Sequence, residues 1–230
     1  IDMLGQYARA LGLGEKTGIE LAGEQAGVVA GPEYTASVGG TWYEGSVLSA
    51  AIGQENNLFT PLQLANYIDD LNIMYYEEPV HPLNAVSMRE IKENIRIPVA
   101  SGERIYTRLG YRPFFENRSL SVIQPDVCLC GGISEAKKIC DMADTYDVKV
   151  QIHVCGGPIS QAAALHVETA IPNFLIHEQH SYGIKQGLRD TCVYDYLPDD
   201  HGELTVPELP GIGQEITEET MAKTWVYTIQ

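Results

Sequence analysis

A chain of 230 residues, 44% apolar and 20% charged, is long enough for one α/β domain or two smaller ones, and its composition excludes wholesale disorder. Acids outnumber bases 31 to 15, leaving a net charge of −16; this excludes the basic footprint that nucleic acid requires and is compatible with cation binding. The five cysteines form no CxxC and sit in apolar patterns, and neither a leader nor an apolar run near the ~20 residues of a membrane span is visible, so reduced thiols in a cytoplasmic setting are expected.

The amino-terminal stretch is punctuated by glycine. LGLGEKTGIEL, AGEQAGVVAG and SVGGTWYEG read as short helices and turns, and SVLSAAIGQ and TPLQLANYI as helices. After Leu71 the pattern changes. NIMYYEEP, IPVASGE, SVIQPDV, VKVQIHV and FLIHEQ read as strands, alternating with helical runs such as SMREIKENI, SEAKKICDMADTYD and SQAAALHVETAI. That alternation predicts parallel βαβ units, in either a doubly wound sheet or a barrel. Polar residues end each strand in turn: Glu77 and Glu78, then Glu103, Asp126, His153 and Glu178. A (β/α)8 barrel gathers its site from such strand ends, whereas a dinucleotide fold needs a GxGxxG that this chain lacks. Gly211-Ile212-Gly213 reads as a turn beyond the last strand.

The residue types suggest a chemistry. Glu77-Glu78 taken alone reads as a loop acid pair, and on a strand only one of the two can face the barrel mouth. Glu103, on the next strand end, adds a second carboxylate, and paired carboxylates are what a hard divalent cation prefers. A strand histidine such as His153 ordinarily belongs to the core. Asp126 on the preceding strand end changes that reading, because a carboxylate partner fixes an imidazole's tautomer and raises its basicity. Cys128 and Cys130 alternate on a strand and are expected to pack rather than to bind zinc, which takes four ligands. Ser134 is expected to cap the following helix.

EEPVHP, IPVASGER, IQPDVCLCGGISEAKKI, IHVCGGPISQAA and LIHEQ, followed by PELPGIGQEI, together resemble the mandelate racemase branch of the enolase superfamily. The wording is most similar to galactonate-type sugar-acid dehydratases. The resemblance implies that residues 69–230 are the carboxyl-terminal half of a (β/α)8 TIM barrel, about five βα units corresponding to strands four to eight. It further implies Glu77 and Glu103 as Mg²⁺ ligands, Asp126 and His153 as the catalytic dyad, and Glu178 beside the forming enolate. The implied reaction is that of a hydro-lyase: proton abstraction at carbon 2 of an aldonate, followed by loss of the carbon 3 hydroxyl. His81, Arg104, His177 and His180 are read as loop or pocket-lining residues. The absence of lysine from residues 121–130 sets aside the superfamily branches with an amino base there. A complete member also carries a capping domain and three earlier strands, which supply a third metal ligand. Asp69 and Asp70 lie on the helix side of the NIMYYEE strand and cannot replace it. The chain is therefore expected to be a truncated, inactive fragment whose open sheet edges invite a homo-oligomer.

Residues 1–68 carry a different resemblance. LGLGEKTGIELAGE and TWYEGSVLSAAIGQENNLFTPLQLANYI are similar to the transpeptidase domain of a class B penicillin-binding protein. The Ser-x-x-Lys and Ser-x-Asn motifs of that family are expected upstream, and its Lys-Thr-Gly strand after the last helix. Lys16-Thr17-Gly18 belongs instead to a turn, and Ser134 to Lys137 to a helix of the other half. No Pro, Gly or Ser linker occurs near residues 67–70, which suggests a fusion within a helix and a chimeric chain. Two alternatives to the dehydratase fragment remain: a peptidoglycan transpeptidase remnant without its nucleophile, and a non-enzymatic, oligomer-forming fragment.

Overall fold

The computed structural model describes residues 1–18, 23–69, 71–179 and 185–224. Among these, the chain forms α1 (Asp2–Ala10), α2 (Pro32–Ser37), α3 (Glu44–Ala51), α4 (Pro61–Asp69), β1 (Tyr76–Glu77), α5 (Ala85–Glu93) and β2 (Val99–Ser101). It continues through α6 (Thr107–Glu116), β3 (Val122–Ile123), α7 (Ile133–Asp144), β4 (Lys149–Val150), α8 (Pro158–Thr169), α9 (Gln186–Arg189) and α10 (Glu218–Ala222). The strands are ordered β1-β2-β3-β4 in one sheet, the α/β arrangement of a partial barrel. Two compact units result: Ile1–His81 with Ser87–Val99, and Pro82–Val86 with Ala100–Gln230.

In the first unit, a buried amide does the work that a short chain segment cannot do with apolar contacts alone. Gln63, on α4 and fully buried, donates to Glu15 O at 2.5 Å and Ala26 O at 2.7 Å, and accepts from Thr60 N–H at 2.9 Å. A satisfied buried side chain of this kind ties loop carbonyls that would otherwise lack partners. Val28 and Leu58 close an antiparallel bridge with N–H to O distances of 2.6 and 3.0 Å. Asp69 ends α4 and accepts from Arg96 N–H and Nε–H, both at 2.7 Å. The Arg96 hydrogen bond holds its carboxyl below the ordinary value. Asp69 is thus committed to a helix-side ion pair, and Asp70 lies outside the described residues.

In the second unit, β2, β3 and β4 run parallel, with Ala100 opposite Val122, Ile123 opposite Val150 and Val122 opposite Lys149. The strands are shorter than their apolar runs suggest, and a parallel bridge from Val150 to Phe174 marks the fifth strand position. α7 turns Ala136, Ile139, Cys140 and Ala143 inward at helical spacing. α8 starts with Pro158 in its first turn and is buried nearly all round. α6 packs against α7, which also contacts α8. Phe115 stacks on Tyr111 and Tyr146, with centroids 6.0 and 5.4 Å apart.

Two local readings are corrected. Cys128 and Cys130 lie in a turn after Asp126 and not on a strand, because the Asp126 carboxylate accepts the Cys128 N–H at 2.7 Å and its carbonyl the Cys130 N–H at 2.8 Å. Ser134 does not cap α7: the N-cap is Gly132, at φ 86°, and no side chain caps the helix. The glycine adopts a conformation costly to other residues and sets the helix start two positions earlier. Cys130 and Cys140 are buried free thiols, which burial pushes up to about 11 and about 12. Gly211 and Gly213 form a turn, as expected.

Candidate active site at the strand ends

Glu103, Asp126 and His153 each follow a strand of the second unit by two or three residues, so parallel register delivers them to one end of the sheet. The approach to Glu103 requires Gly102: a Cβ there would lie 2.5 Å from Gln124 N and 2.5 Å from the Tyr111 hydroxyl oxygen. That hydroxyl donates to Gly102 O at 2.8 Å and clamps the turn. Beyond β3 and β4, Asp126 and His153 pair as a parallel bridge, and the His153 N–H donates to Pro125 O at 3.2 Å.

The imidazole of His153 is held between two carboxylates. Its Nδ1 lies 2.8 Å from Asp126 Oδ2, and its Nε2 lies 2.8 Å from Glu103 Oε2. Asp126 is 4% and His153 9% exposed, so these contacts are largely shielded from water. The Asp126 hydrogen bond raises the His153 pKa against the opposing effect of burial, and the charges of Glu178 and Glu103 add to the rise. Burial acts to raise the Asp126 carboxyl, but hydrogen bonds from His153 and Cys128 outweigh it and hold the group below its ordinary value. Glu103 also meets Arg104, with Nε 3.5 Å from Oε1.

Glu178 is fixed by the β4 segment: its Oε2 accepts from Gln151 Nε2 at 3.0 Å and from Val154 N–H at 2.9 Å. Gln151 in turn accepts from Gln124 Nε2 at 3.2 Å, both glutamines being buried. Gln124 and Gln151 each precede a site residue by two and so share its strand face, although neither belongs to the expected site. Paired polar residues at i and i+2 on adjacent buried strands are the signal that could have found them.

Glu77 is exposed at the end of β1, in the first compact unit, and Glu78 follows in the left-handed region at φ 43°. His81, also exposed, belongs to that unit. His177 turns to Glu168, with Nδ1 2.7 Å from Oε2. His180 lies outside the described residues. Among the described residues, no three His, Cys, Asp or Glu side chains are grouped to hold a metal ion.

Residues 52–220 match the family described as Enolase C-terminal domain-like, and residues 1–91 match the penicillin binding protein transpeptidase domain. The chain is 34% identical over 151 residues to a D-xylonate dehydratase of Haloferax volcanii, covering 66% of this chain and 36% of that protein. It is 35% identical over 153 residues to a D-galactonate dehydratase of Ralstonia nicotianae, covering 63% and 39%. Among solved structures, a member of the enolase superfamily from Salmonella Typhimurium is 61% identical, with a TM-score of 0.71 over 74% of this chain and 43% of that one. The chain therefore spans about two fifths of the length of the relatives it matches.

Proposed function

Since the chain belongs to the enolase C-terminal domain-like family, we propose that its residues 69–230 are the carboxyl-terminal half of a sugar-acid dehydratase, a hydro-lyase acting on an aldonate. The observation that carries this reading is His153 clamped at 2.8 Å by Asp126 on one ring nitrogen and 2.8 Å by Glu103 on the other. The names of the relatives, dehydratases of xylonate and galactonate, supply the substrate class.

In the proposed reaction, Asp126 keeps the proton on His153 Nδ1, and Nε2 becomes the base once bound substrate replaces its 2.8 Å contact with Glu103 and the imidazole is neutral. Nε2 takes the proton from carbon 2, next to the substrate carboxylate, and the electron pair becomes the enolate. The carbon 3 hydroxyl then departs with a proton from a general acid, and the enol product tautomerises to a 2-keto-3-deoxy acid. The balance is one water lost. Glu178, fixed by Gln151 and Val154, is assigned to the side of the forming enolate.

Mg²⁺, which the resemblance assigns to Glu77 and Glu103, is not fitted by this chain alone: the described residues group no three donors, and Glu103 Oε2 is taken by His153. We assign the cation to the whole enzyme, and no step above runs through it. The chain by itself is therefore proposed to be inactive. Residues 1–68 are proposed to be a non-catalytic piece of a transpeptidase, in line with the match over residues 1–91. Free cysteines fit a cytoplasmic setting.

A graft tests the reading. Residues 71–230 replace the matching segment of the D-galactonate dehydratase of Ralstonia nicotianae, and deuterium exchange at carbon 2 and keto-acid formation are followed over a panel of aldonates that includes D-galactonate. The expected result is turnover of the aldonates that the parent accepts, abolished by His153→Asn. A graft that folds like its parent yet exchanges none of those aldonates would overturn the assignment.

A further inference from the structure

Glu178 is held through one of its two carboxylate oxygens. Oε2 accepts from Gln151 Nε2 at 3.0 Å and from the Val154 N–H at 2.9 Å, and among the described residues no hydrogen bond reaches Oε1. A carboxylate oxygen has two lone pairs, so one that already faces two N–H donors has no room for a proton of its own. Any proton that Glu178 passes to a ligand, and any further donor that it receives from one, therefore meets Oε1.

Which end of the Gln151 amide faces Glu178 is set by Gln124. Gln124 Nε2 donates to Gln151 Oε1 at 3.2 Å, so the Gln151 NH2 group is turned the other way, toward the carboxylate. The two glutamines are 2% and 3% exposed, so water hardly competes for these contacts. As packing alone, an apolar pair of the same shape would serve nearly as well, because buried hydrogen bonds return little net stability. Position along the chain adds to the constraint: Gln151 stands two residues before His153, and Val154 directly follows it. The segment 151–154 thus carries the base together with both donors that fix Glu178.

We propose that Gln151, oriented by Gln124, is a positioning residue of the dehydratase site: it occupies Oε2 of Glu178 and leaves Oε1 alone to meet the forming enolate. The inference rests on the dehydratase reading and deepens it by naming the oxygen that meets substrate. Both glutamines act through Glu178 and exchange no proton with the aldonate. Turning the Gln151 amide over would set its carbonyl oxygen against the Glu178 carboxylate, and the repulsion would swing Oε1 out of place.

The test has two arms. In the graft on the Ralstonia nicotianae dehydratase, Gln151→Met removes the donor at similar length, and Gln124→Glu gives Gln151 an acceptor in place of a donor and so turns its amide over. Each should lower kcat for carbon 2 exchange about tenfold or more, corrected for folded fraction, with KM unchanged, because the enolate exists only along the reaction. In this chain by itself, NMR should show a Gln151 side-chain amide proton protected from solvent exchange, and Glu178→Ala should release it. A packing role alone would leave that protection independent of Glu178. The proposal is overturned if both variants keep their kcat, if only KM changes, or if the amide proton exchanges freely with Glu178 in place. An unmodified graft without turnover would sink the dehydratase reading instead, and the amide measurement then decides by itself whether Gln151 holds Oε2.

Discussion

Asp126 and His153 are bridge partners in parallel register, their Oδ2 and Nδ1 atoms 2.8 Å apart. One strand pairing thus sets both the backbone alignment and the side-chain contact. Asp126 raises the imidazole pKa, and against the cost of burial the same contact lowers that of the carboxyl.

Each shift is a pH-dependent share of stability. The raised His153 contributes fully below its unfolded value of about 6.5, and its share is lost as pH rises through the higher folded value. The depressed Asp126 contributes fully above about 3.9, and its share is lost as pH falls through the lower folded value. Urea midpoints should therefore be highest between those limits and fall on both sides. Asp126→Asn should flatten both limbs and lower the His153 pKa, followed by NMR of the imidazole; an unchanged His153 titration would contradict the coupling.

Gln151 connects Gln124 to Glu178 in a buried chain of amides. Gln151→Leu removes both contacts and leaves polar partners buried, so it should cost about 1–3 kcal/mol in equilibrium unfolding. A Gln124→Leu and Gln151→Leu double-mutant cycle should show coupling, since each single change strands the other amide. Strict additivity would argue that the chain of amides is not a unit.

Gly102 and Gly45 make opposite predictions for the same substitution. At Gly102 an added Cβ meets Gln124 N at 2.5 Å, so Gly102→Ala must displace the backbone just past β3 and should destabilise by about 1–3 kcal/mol or more. At Gly45, within α3, an added Cβ meets nothing within 4 Å, and Gly45→Ala should stabilise by about 0.4–1 kcal/mol. Thermal melts of the two variants check the pair.

Calorimetric titration of this chain with Mg²⁺ should give a Kd on the order of 1 mM or weaker, since one or two carboxylates leave most of the coordination to water. Glu103→Gln should weaken even that signal. Micromolar binding would mean that the described donors converge further than they do here.

Incubation with a fluorescent β-lactam should leave no covalent adduct. Lys16-Thr17-Gly18 is held by Glu24, whose Oε1 accepts from Thr17 N–H and Oγ1–H at 2.5 Å each and whose Oε2 accepts from Gly18 N–H at 3.3 Å. The Lys137 ammonium is paired with Asp141 at 2.5 Å on an exposed helix face. A stoichiometric adduct would restore the transpeptidase reading.

The alternation of strand and helix after residue 71, and which residues stand at the strand ends, are legible in the chain because both depend on local periodicity and composition. It could not determine which of those residues meet. Asp126 and His153 come together through the β3 and β4 register, a pairing of residues 27 apart, and Glu103 reaches the same imidazole from a third strand. The Cys128 to Cys130 turn and the Gly132 cap were misread because a carboxylate taking backbone N–H groups and a glycine in the left-handed region override the apolar pattern. The Gln124, Gln151 and Glu178 chain depends on neighbours brought together by the fold. Hydrogen-bond satisfaction of buried groups is a property of neighbours in space, which no single stretch of sequence encodes.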